Sequence, residues 1–294
     1  MKRKYLIISS DQDTWAKGSD TVFLGEWCKL YSEKDYWKNK ESCTIEYHWR
    51  DREKFFKDSS FINELYEYFL DELTLMLNQC HHINKSKEYW RFVIGVWLQD
   101  FIFIIFDKYC SLKKAFDEEE ITDVILKRYE HDTFVPNNLE DFILKSSNTT
   151  WNEYIANKLL LITKPSGLNI TFLKDKTVSF KEGDEAKSNS LRKKSPKSLN
   201  KKLKLMINSL FKAKDYFSYG TSMSHLNLFS LNLKLGELYI YTEQPVNPRP
   251  SQYSPNDREL DWPSKYEANN FKSLIQNMIM EFIPKSYIED LRSY

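Results

Sequence analysis

The spacing of apolar residues along the chain predicts an α/β protein in which helices predominate. Short apolar runs at 5–9 and 21–24 are typical of buried strands. In open α/β sheets, ligands bind beyond the carboxyl ends of the strands. We therefore expect residues 11–15 and 25–27, which follow these two strands, to share one edge of a sheet.

Two long helices are predicted after the strands. Apolar side chains recur every fourth residue from 61 to 77, which predicts an amphipathic helix with Ser60 as its N-cap. The next helix, from about 87 to 116 with Ser86 as its cap, is apolar on nearly every side and is expected to be central and buried. Gln99 and Asp100 interrupt its apolar run, which falls short of the roughly 20 residues that span a membrane.

The remaining pattern is mixed, and we expect a single domain over 1–294. The acidic run 117–120 favours the start of a third helix. A hairpin is predicted at 170–173 with 178–180, and a basic segment at 187–204 carries eight Lys and Arg side chains and no acid. Its first half predicts a mobile basic insertion at about 181–200. The other predicted helices are 139–144 and 151–162, capped by Asn138 and Thr150, then 199–211 and 270–282.

Composition excludes several classes of protein. Aromatic residues make up 15% of the chain and the net charge is +1, so a sizeable core forms and nucleic acid is not an expected partner. The four cysteines form no Cys-x-x-Cys pair, and no secretory signal precedes them, which indicates free thiols in a reducing compartment. The seven glycines form no phosphate-binding fingerprint.

We expect neither a metal nor a cofactor in this chain. The run Cys80-His81-His82 contains metal-binding residue types. Adjacent residues at a helix end do not converge on one ion, however, and histidine is common at helix C-termini. We interpret the run as the end of a helix.

Glu26, His48 and Asp51 are the candidate catalytic residues. Glu26 follows the second strand beside Trp27, where a carboxylate acts as a general base if burial raises its pKa; the alternative is a solvated loop residue. His48 and Asp51 belong to a dense polar cluster with interleaved aromatics, and His48 can move a proton near neutral pH. The alternative for that cluster is a salt-bridged loop that leads into the first long helix.

Arg50, Arg52, Trp90 and Arg91 are the candidate substrate-binding residues. The planar guanidinium group suits the recognition of phosphate or carboxylate. Arg91 stands beside Trp90 at the start of the second long helix, so its charge needs a partner or faces a cleft. An ion pair within the protein is the alternative for Arg91.

Three blocks resemble a known family. They read FLGEWCKLYS at 23–32, YHWRDREK at 47–54 and YWRFVIGVWL at 89–98. In order and approximate spacing they resemble a family of transferases encoded in bacterial O-antigen and surface-polysaccharide gene clusters. Segment 271–294 resembles the linker in the middle of those proteins, so the resemblance spans essentially the whole chain.

The resemblance implies a helix-rich, Rossmann-like α/β fold, the N-terminal half of a GT-B-type glycosyltransferase. Members carry a second half that looks like a nucleotide-sugar-binding domain, with a Gln-His-Gly-Gly string that this chain lacks. The acceptor side of such enzymes supplies the base, so the resemblance favours Glu26, His48 or Asp51 in that role. It implies that Arg50, Arg52 and Arg91 hold an anionic acceptor or a donor phosphate.

The resulting hypothesis is the acceptor-side half of a cytoplasmic glycosyltransferase at the inner face of the membrane. It would transfer a sugar from a nucleotide-sugar donor to a glycan or lipid-linked acceptor. In this hypothesis the enzyme is either truncated or works with a second polypeptide that carries the donor domain. The basic segment predicts a peripheral membrane contact. The alternatives are a non-catalytic remnant or binding module, and a polyol-phosphate transferase.

Overall fold

A computed structural model describes residues 3–16, 20–38, 42–180 and 270–289, with positions 230, 231, 234, 252–254, 258 and 291. The chain divides into two compact units. One comprises Met1–Glu182 with Pro250–Tyr294, and the other is Gly183–Arg249. Nearly all described residues belong to the first unit, whereas the predicted insertion at 181–200 and the predicted helix at 199–211 lie outside the described residues.

A parallel sheet forms the centre of the first unit. In the described part of the chain it contains five strands: Lys4–Ile7 (β1), Asp20–Phe23 (β2), Ser42–Thr44 (β3), Asp123–Tyr129 (β4) and Asn169–Val178 (β5). The strand order is β3-β2-β1-β4-β5, and every neighbouring pair is parallel. Leu6 at the centre of β1 pairs with Val22 on one side and Val124 on the other, and all three are buried.

The direction of the strand order reverses beside β1. The chain moves outward from β1 to β3, then crosses back and continues from β4 to β5. At such a reversal, the segments that follow the two central strands turn in opposite directions. Their divergence opens a crevice at the carboxyl ends of these strands. The carboxyl ends of β1 and β4 are therefore the first place to look for a site.

Helices cover the sheet and extend beyond it. They are Lys34–Trp37 (α1), Arg52–His81 (α2), Lys87–Glu118 (α3), His131–Phe134 (α4), Leu139–Ser146 (α5), Thr149–Thr163 (α6), Phe271–Phe282 (α7) and Lys285–Ile288 (α8). The long helices α2 and α3 pack against each other, and α3 also contacts α6 and α7. Short 3-10 turns follow the carboxyl ends of β1, β2 and β3.

Helix α3 is the core helix. Trp90, Trp97 and Phe101 on it are fully buried. The ring of Phe101 packs on Phe282 of α7, with ring centroids 5.7 Å apart. Burying a large apolar side chain contributes about 1.5–3 kcal/mol, so this helix supplies much of the stabilisation of the core.

The pattern predicted most of these elements. The α/β class, the strands β1 and β2, the cap of α3 by Ser86, the cap of α5 by Asn138 and the helix α7 are confirmed. The third helix predicted at 117–120 is wrong, because α3 runs through Glu118 and the chain then enters β4. The predicted hairpin is also wrong, since 169–178 form one strand that pairs in parallel with β4. Strand β3, at the sheet edge, was not predicted.

Two helix starts differ from the predictions. Helix α2 begins at Arg52 and not at Ser60, because the Asp51 carboxylate caps it by accepting from the backbone N–H of Glu53 and Lys54 at 2.9 and 3.2 Å. Helix α6 is capped by Asn148 and not by Thr150. In both cases the stronger cap lies upstream of the predicted one.

One helix of the described residues, α3, is long and apolar enough to cross a membrane. Half of its most apolar stretch is buried inside the protein. A core helix has the same length and composition, so this property says little about a membrane.

Candidate functional site

The loop after β1 places a carboxylate at the reversal point of the sheet. The Asp11 N–H donates to Ser9 Oγ at 3.2 Å, and Asp11 Oδ1 accepts from the backbone N–H of Asp13 at 3.0 Å, which begins a 3-10 turn. These bonds fix the Asp11 side chain, and its second oxygen, Oδ2, forms an ion pair with Lys127 of β4. This ion pair thereby connects the loop after β1 to the carboxyl end of β4.

Lys127 also pairs with a buried carboxyl group on α6. Its Nζ lies 3.4 Å from Glu153 Oε1 and 3.5 Å from Oε2. The side chain of Glu153 is 3% exposed and that of Lys127 is 11% exposed, whereas Asp11 is 39% exposed. Asp11 is thus the member of this triad that faces solvent. Lys127 contacts Asp11 directly, and the buried Glu153 contacts Lys127.

Burial dominates the ionisation of Glu153. Removal from water raises the pKa of its carboxyl group, and the nearby Lys127 ammonium opposes that shift. The hydroxyls of Tyr129 and Ser9 lie beside the same carboxyl group. Burial likewise raises the pKa of Tyr129, with Glu153 adding to the effect. The ionisation of Glu153 therefore depends on burial and on its neighbours Lys127 and Tyr129.

A second polar group lies at the carboxyl end of β2. The ring of Trp27 folds back over Gly25, where the atoms approach so closely that a Cβ on residue 25 would overlap the ring. Lys108 of α3 places its Nζ 4.5 Å from the centroid of the Trp27 ring, a cation–π contact. A glycine at position 25 is therefore what permits Trp27 to support Lys108.

Lys108 has an unusual environment for a lysine. Its side chain is largely buried, and among the described residues its ion-pair partner is Asp107, whose Oδ2 lies 4.0 Å away. Among the residues that the structure describes, none accepts a hydrogen bond from its Nζ. Burial lowers the pKa of Lys108, and Asp107 counters this. An ammonium group with this little compensation suits an anionic ligand.

A third group follows β3. His48 is 5% exposed, and its Nε2 lies 3.0 Å from Asp107 Oδ1. The phenol of Tyr47 interacts with the same carboxylate, and burial first, then Asp107, raises the pKa of Tyr47. Asp107 therefore joins the end of β3 to the Lys108 position on α3.

Cys28 lies between the first and second groups. Its thiol donates to the Ile7 carbonyl oxygen at 3.5 Å, and burial raises its pKa to about 12. Its thiol is electrostatically coupled both to Lys108 and to Glu153. The polar groups beyond β1, β2 and β4 therefore form one continuous edge, in which Cys28 stays protonated. We call this edge the charged edge; its charged members are Asp11, Lys127, Glu153, Asp107 and Lys108.

The predicted catalytic residues have three different environments. Glu26 lies at this edge, 79% exposed, with its carboxylate 3.0 Å from Lys29 Nζ. His48 is buried against Asp107. Asp51 caps α2 with its carboxylate. Their predicted role as catalytic groups stays a prediction. Of the three, His48 is the one with a described contact to Asp107.

The predicted substrate-binding residues do not cluster. Arg50 is 78% exposed and pairs with Glu46, and Arg52 is exposed at the first position of α2. Trp90 is fully buried and donates its indole N–H to Asn78 Oδ1 at 3.0 Å.

Arg91 is paired within the protein. Its guanidinium contacts Glu67 through two bonds of 2.6 and 2.8 Å, and the pair lowers the pKa of Glu67 to about 2. Arg91 lies 16 residues before Asp107 on α3, which is about 24 Å along the helix at roughly 1.5 Å per residue. The fold therefore separates Arg91 from the charged edge.

Sequence reasoning missed most of the charged edge. Lys127, Glu153, Asp107 and Lys108 were not candidates, because strand β4 was not predicted and the charges on α3 and α6 were absorbed into helical patterns. A usable signal existed in Glu153, an acid between Trp151 and Tyr154 on an apolar helix face. Such a residue needs a buried partner.

Comparison with known proteins supplies the family. Residues 4–294 match the model of the LIC12162 family transferases. Neither a curated protein nor a solved structure matches this chain. Because the match covers nearly the full length, the chain belongs to the LIC12162 family of transferases.

Proposed function

We propose that this chain is the acceptor-side half of a GT-B-type glycosyltransferase of surface-polysaccharide synthesis. It transfers a sugar from a nucleotide-sugar donor to a hydroxyl of a lipid-linked glycan. Its membership of a transferase family supports the reaction class. The parallel strand order β3-β2-β1-β4-β5 is compatible with a Rossmann-like half of such an enzyme.

The observation that carries the proposal is the Lys108 ammonium group. Its side chain is 13% exposed beside the carboxyl edge, and none of the described residues accepts a hydrogen bond from its Nζ. A lipid-linked acceptor carries phosphate groups, and a phosphate oxygen supplies the missing acceptor. Trp27 and Gly25 hold the ammonium in place through the cation–π contact. In this proposal Lys108 orients the acceptor at the edge of the sheet.

Asp11 is the proposed base. Its carboxylate is the exposed member of the triad at the reversal point, and its contacts with the Asp13 N–H and the Lys127 ammonium hold it in one orientation. The acceptor hydroxyl gives its proton to Asp11 while its oxygen bonds to the anomeric carbon of the donor sugar. The bond from that carbon to the nucleoside diphosphate breaks, and the diphosphate leaves with the electron pair. Lys127 offsets the charge that Asp11 carries before the transfer.

The first test measures binding. Calorimetric titration with a short-chain polyprenyl-diphosphate-linked sugar is expected to show binding that Lys108→Met weakens at least tenfold. Lys57→Met is the matched control, because Lys57 is an exposed lysine on α2. Equal affinity in all three proteins would contradict the assignment of Lys108. A nucleotide sugar that binds in place of the lipid-linked sugar would instead assign Lys108 to the donor.

The second test measures turnover. Release of nucleoside diphosphate from a panel of nucleotide sugars is followed with the same acceptor, with and without a partner polypeptide that carries a donor-binding domain. Asp11→Asn is expected to abolish release while binding of the acceptor persists. Binding without turnover under every condition would favour a binding module over a transferase.

A further inference from the structure

The His48–Asp107 contact leaves one ring nitrogen without a partner. Asp107 Oδ1 lies 3.0 Å from His48 Nε2, so Nε2–H donates a hydrogen bond to the carboxylate, and in the neutral ring Nδ1 carries the lone pair. Nδ1 is buried, and none of the described residues forms a hydrogen bond with it. A buried lone pair of this kind needs a donor or a cation.

Two further metal-binding groups lie beside that ring. Asp58 of α2 and Cys110 of α3 each offer a ligand atom, and the ligand atoms of His48, Asp58 and Cys110 lie within 4.8 Å of one another. His48 comes from the turn after β3, so three separate elements converge here. This convergence distinguishes the cluster from Cys80-His81-His82, whose members are adjacent on one helix.

We propose that His48, Asp58 and Cys110 bind a zinc ion. Imidazole nitrogen, thiolate sulfur and carboxylate oxygen are the ligands that zinc takes in proteins, whereas a thiolate argues against magnesium or calcium. Three protein ligands leave a fourth position for water or a substrate oxygen. The bond from Asp107 to Nε2 is the contact that a metal-binding histidine needs from its far nitrogen, because it fixes the tautomer.

The geometry requires a small closure. Zinc bonds of roughly 2.0–2.3 Å in a tetrahedron put the ligand atoms about 3.3–3.8 Å apart. Because the ligand atoms lie within 4.8 Å of one another, their separations shorten by no more than about 1.0–1.5 Å when the ion binds. Zinc displaces the thiol proton of Cys110, so one proton is released for each ion bound.

Lys54 competes with the zinc ion for the Asp58 carboxylate. Its ammonium pairs with Asp58 Oδ2, and the Trp49 indole N–H donates to the same oxygen at 2.8 Å. Both contacts use Oδ2, so Oδ1 takes part in neither of them. The ammonium repels a divalent ion, so Lys54→Met is expected to tighten zinc binding several-fold. The Met side chain preserves the packing of the lysine stem.

The experiment measures zinc on the purified full chain. Metal is removed with a chelator, and zinc affinity is then measured by competition with a chromophoric chelator. Cobalt is substituted to detect sulfur ligation through its thiolate charge-transfer absorption. Cys110→Ser is expected to weaken zinc at least tenfold and to remove the sulfur-to-cobalt absorption. Asp107→Asn is expected to weaken zinc by about 10–100-fold, the usual loss for such a contact.

Controls separate this site from other thiols and from misfolding. Cys80→Ser removes a thiol that stands next to two histidines, and it is expected to leave affinity and spectrum unchanged. Circular dichroism checks the fold of each variant. Loss in Cys110→Ser with a gain in Lys54→Met supports the site. A wild-type chain that binds no zinc after removal of the metal overturns the site. A sulfur-to-cobalt absorption that persists in Cys110→Ser overturns it as well.

Discussion

Replacing Lys127 with methionine tests the triad at the reversal point of the sheet. The substitution keeps the apolar stem and removes the ammonium that lies 3.4 Å from the Glu153 carboxyl oxygen. Removing one partner of a buried ion pair costs about 3–5 kcal/mol, because the other charge stays buried. We expect a loss near the lower limit, about 3 kcal/mol, since Ser9 and Tyr129 remain beside the Glu153 carboxyl group and that group can take up a proton.

The loss should depend on pH in a defined direction. A carboxyl group whose folded pKa is raised stays protonated in the folded state at pH values where the unfolded chain has lost the proton. Stability therefore falls as pH rises through the folded pKa of Glu153. Without Lys127 that pKa rises further, so the loss in Lys127→Met is expected to be larger at pH 8 than at pH 5.5.

The assay is urea unfolding followed by tryptophan fluorescence. Lys127→Met, Glu153→Gln and the double variant form a cycle with the wild type. Because the double variant has no buried carboxylate to leave unpaired, we expect it to recover most of the loss, with a coupling energy of about 2 kcal/mol. Additive effects within about 0.5 kcal/mol would refute the buried pair. Lys57→Met again serves as control, with no measurable loss expected.

Three further predictions concern single positions. Gly25→Ala is expected to displace the Trp27 ring and to cost about 1–3 kcal/mol, with a shift in tryptophan emission; unchanged emission would count against the close contact. Asp51→Ala should cost about 1 kcal/mol through loss of the α2 cap, whereas Asp51→Asn keeps the cap, so full turnover by Asp51→Asn would exclude Asp51 as the base. Burial lowers the pKa of His131, so the unfolded chain takes up a proton before the folded chain as pH falls below about 6.5. Stability should therefore fall by up to about 1.4 kcal/mol per pH unit between pH 6.5 and 5, and His131→Gln should flatten that slope in urea titrations.

The charged edge shows where prediction from sequence reaches its limit. Asp11 and Trp27 follow predicted strands, so the pattern placed them at the correct edge. Lys127 was not placed there, because the acidic run 117–120 before β4 favours a helix start in isolation, whereas in the fold α3 ends at Glu118 and the chain then enters β4 between β1 and β5. Glu153 was not placed there, because its charge was absorbed into the helical pattern of α6.

Arg91 illustrates the same limit, as a predicted site residue that forms an internal ion pair in the fold. Its position beside Trp90 is consistent with either a cleft or an internal ion pair, and local sequence does not distinguish them. The pairing with Glu67 depends on how α2 and α3 lie against each other. Residues 24 apart in the chain meet only through helix packing.

Local patterns in the chain were enough to predict the elements whose signals are local. Periodic apolar residues and polar caps favour a given helix in almost any surroundings, which is why α3, α5 and α7 were predicted from the chain alone. Tertiary structure determines which charged side chains contact one another. The Asp11–Lys127–Glu153 triad and the His48–Asp58–Cys110 cluster each join residues from three separate elements, and such contacts arise from the strand order and the helix packing. Short-range patterns carry no information on distances of that kind, so both sites became visible only in the folded chain.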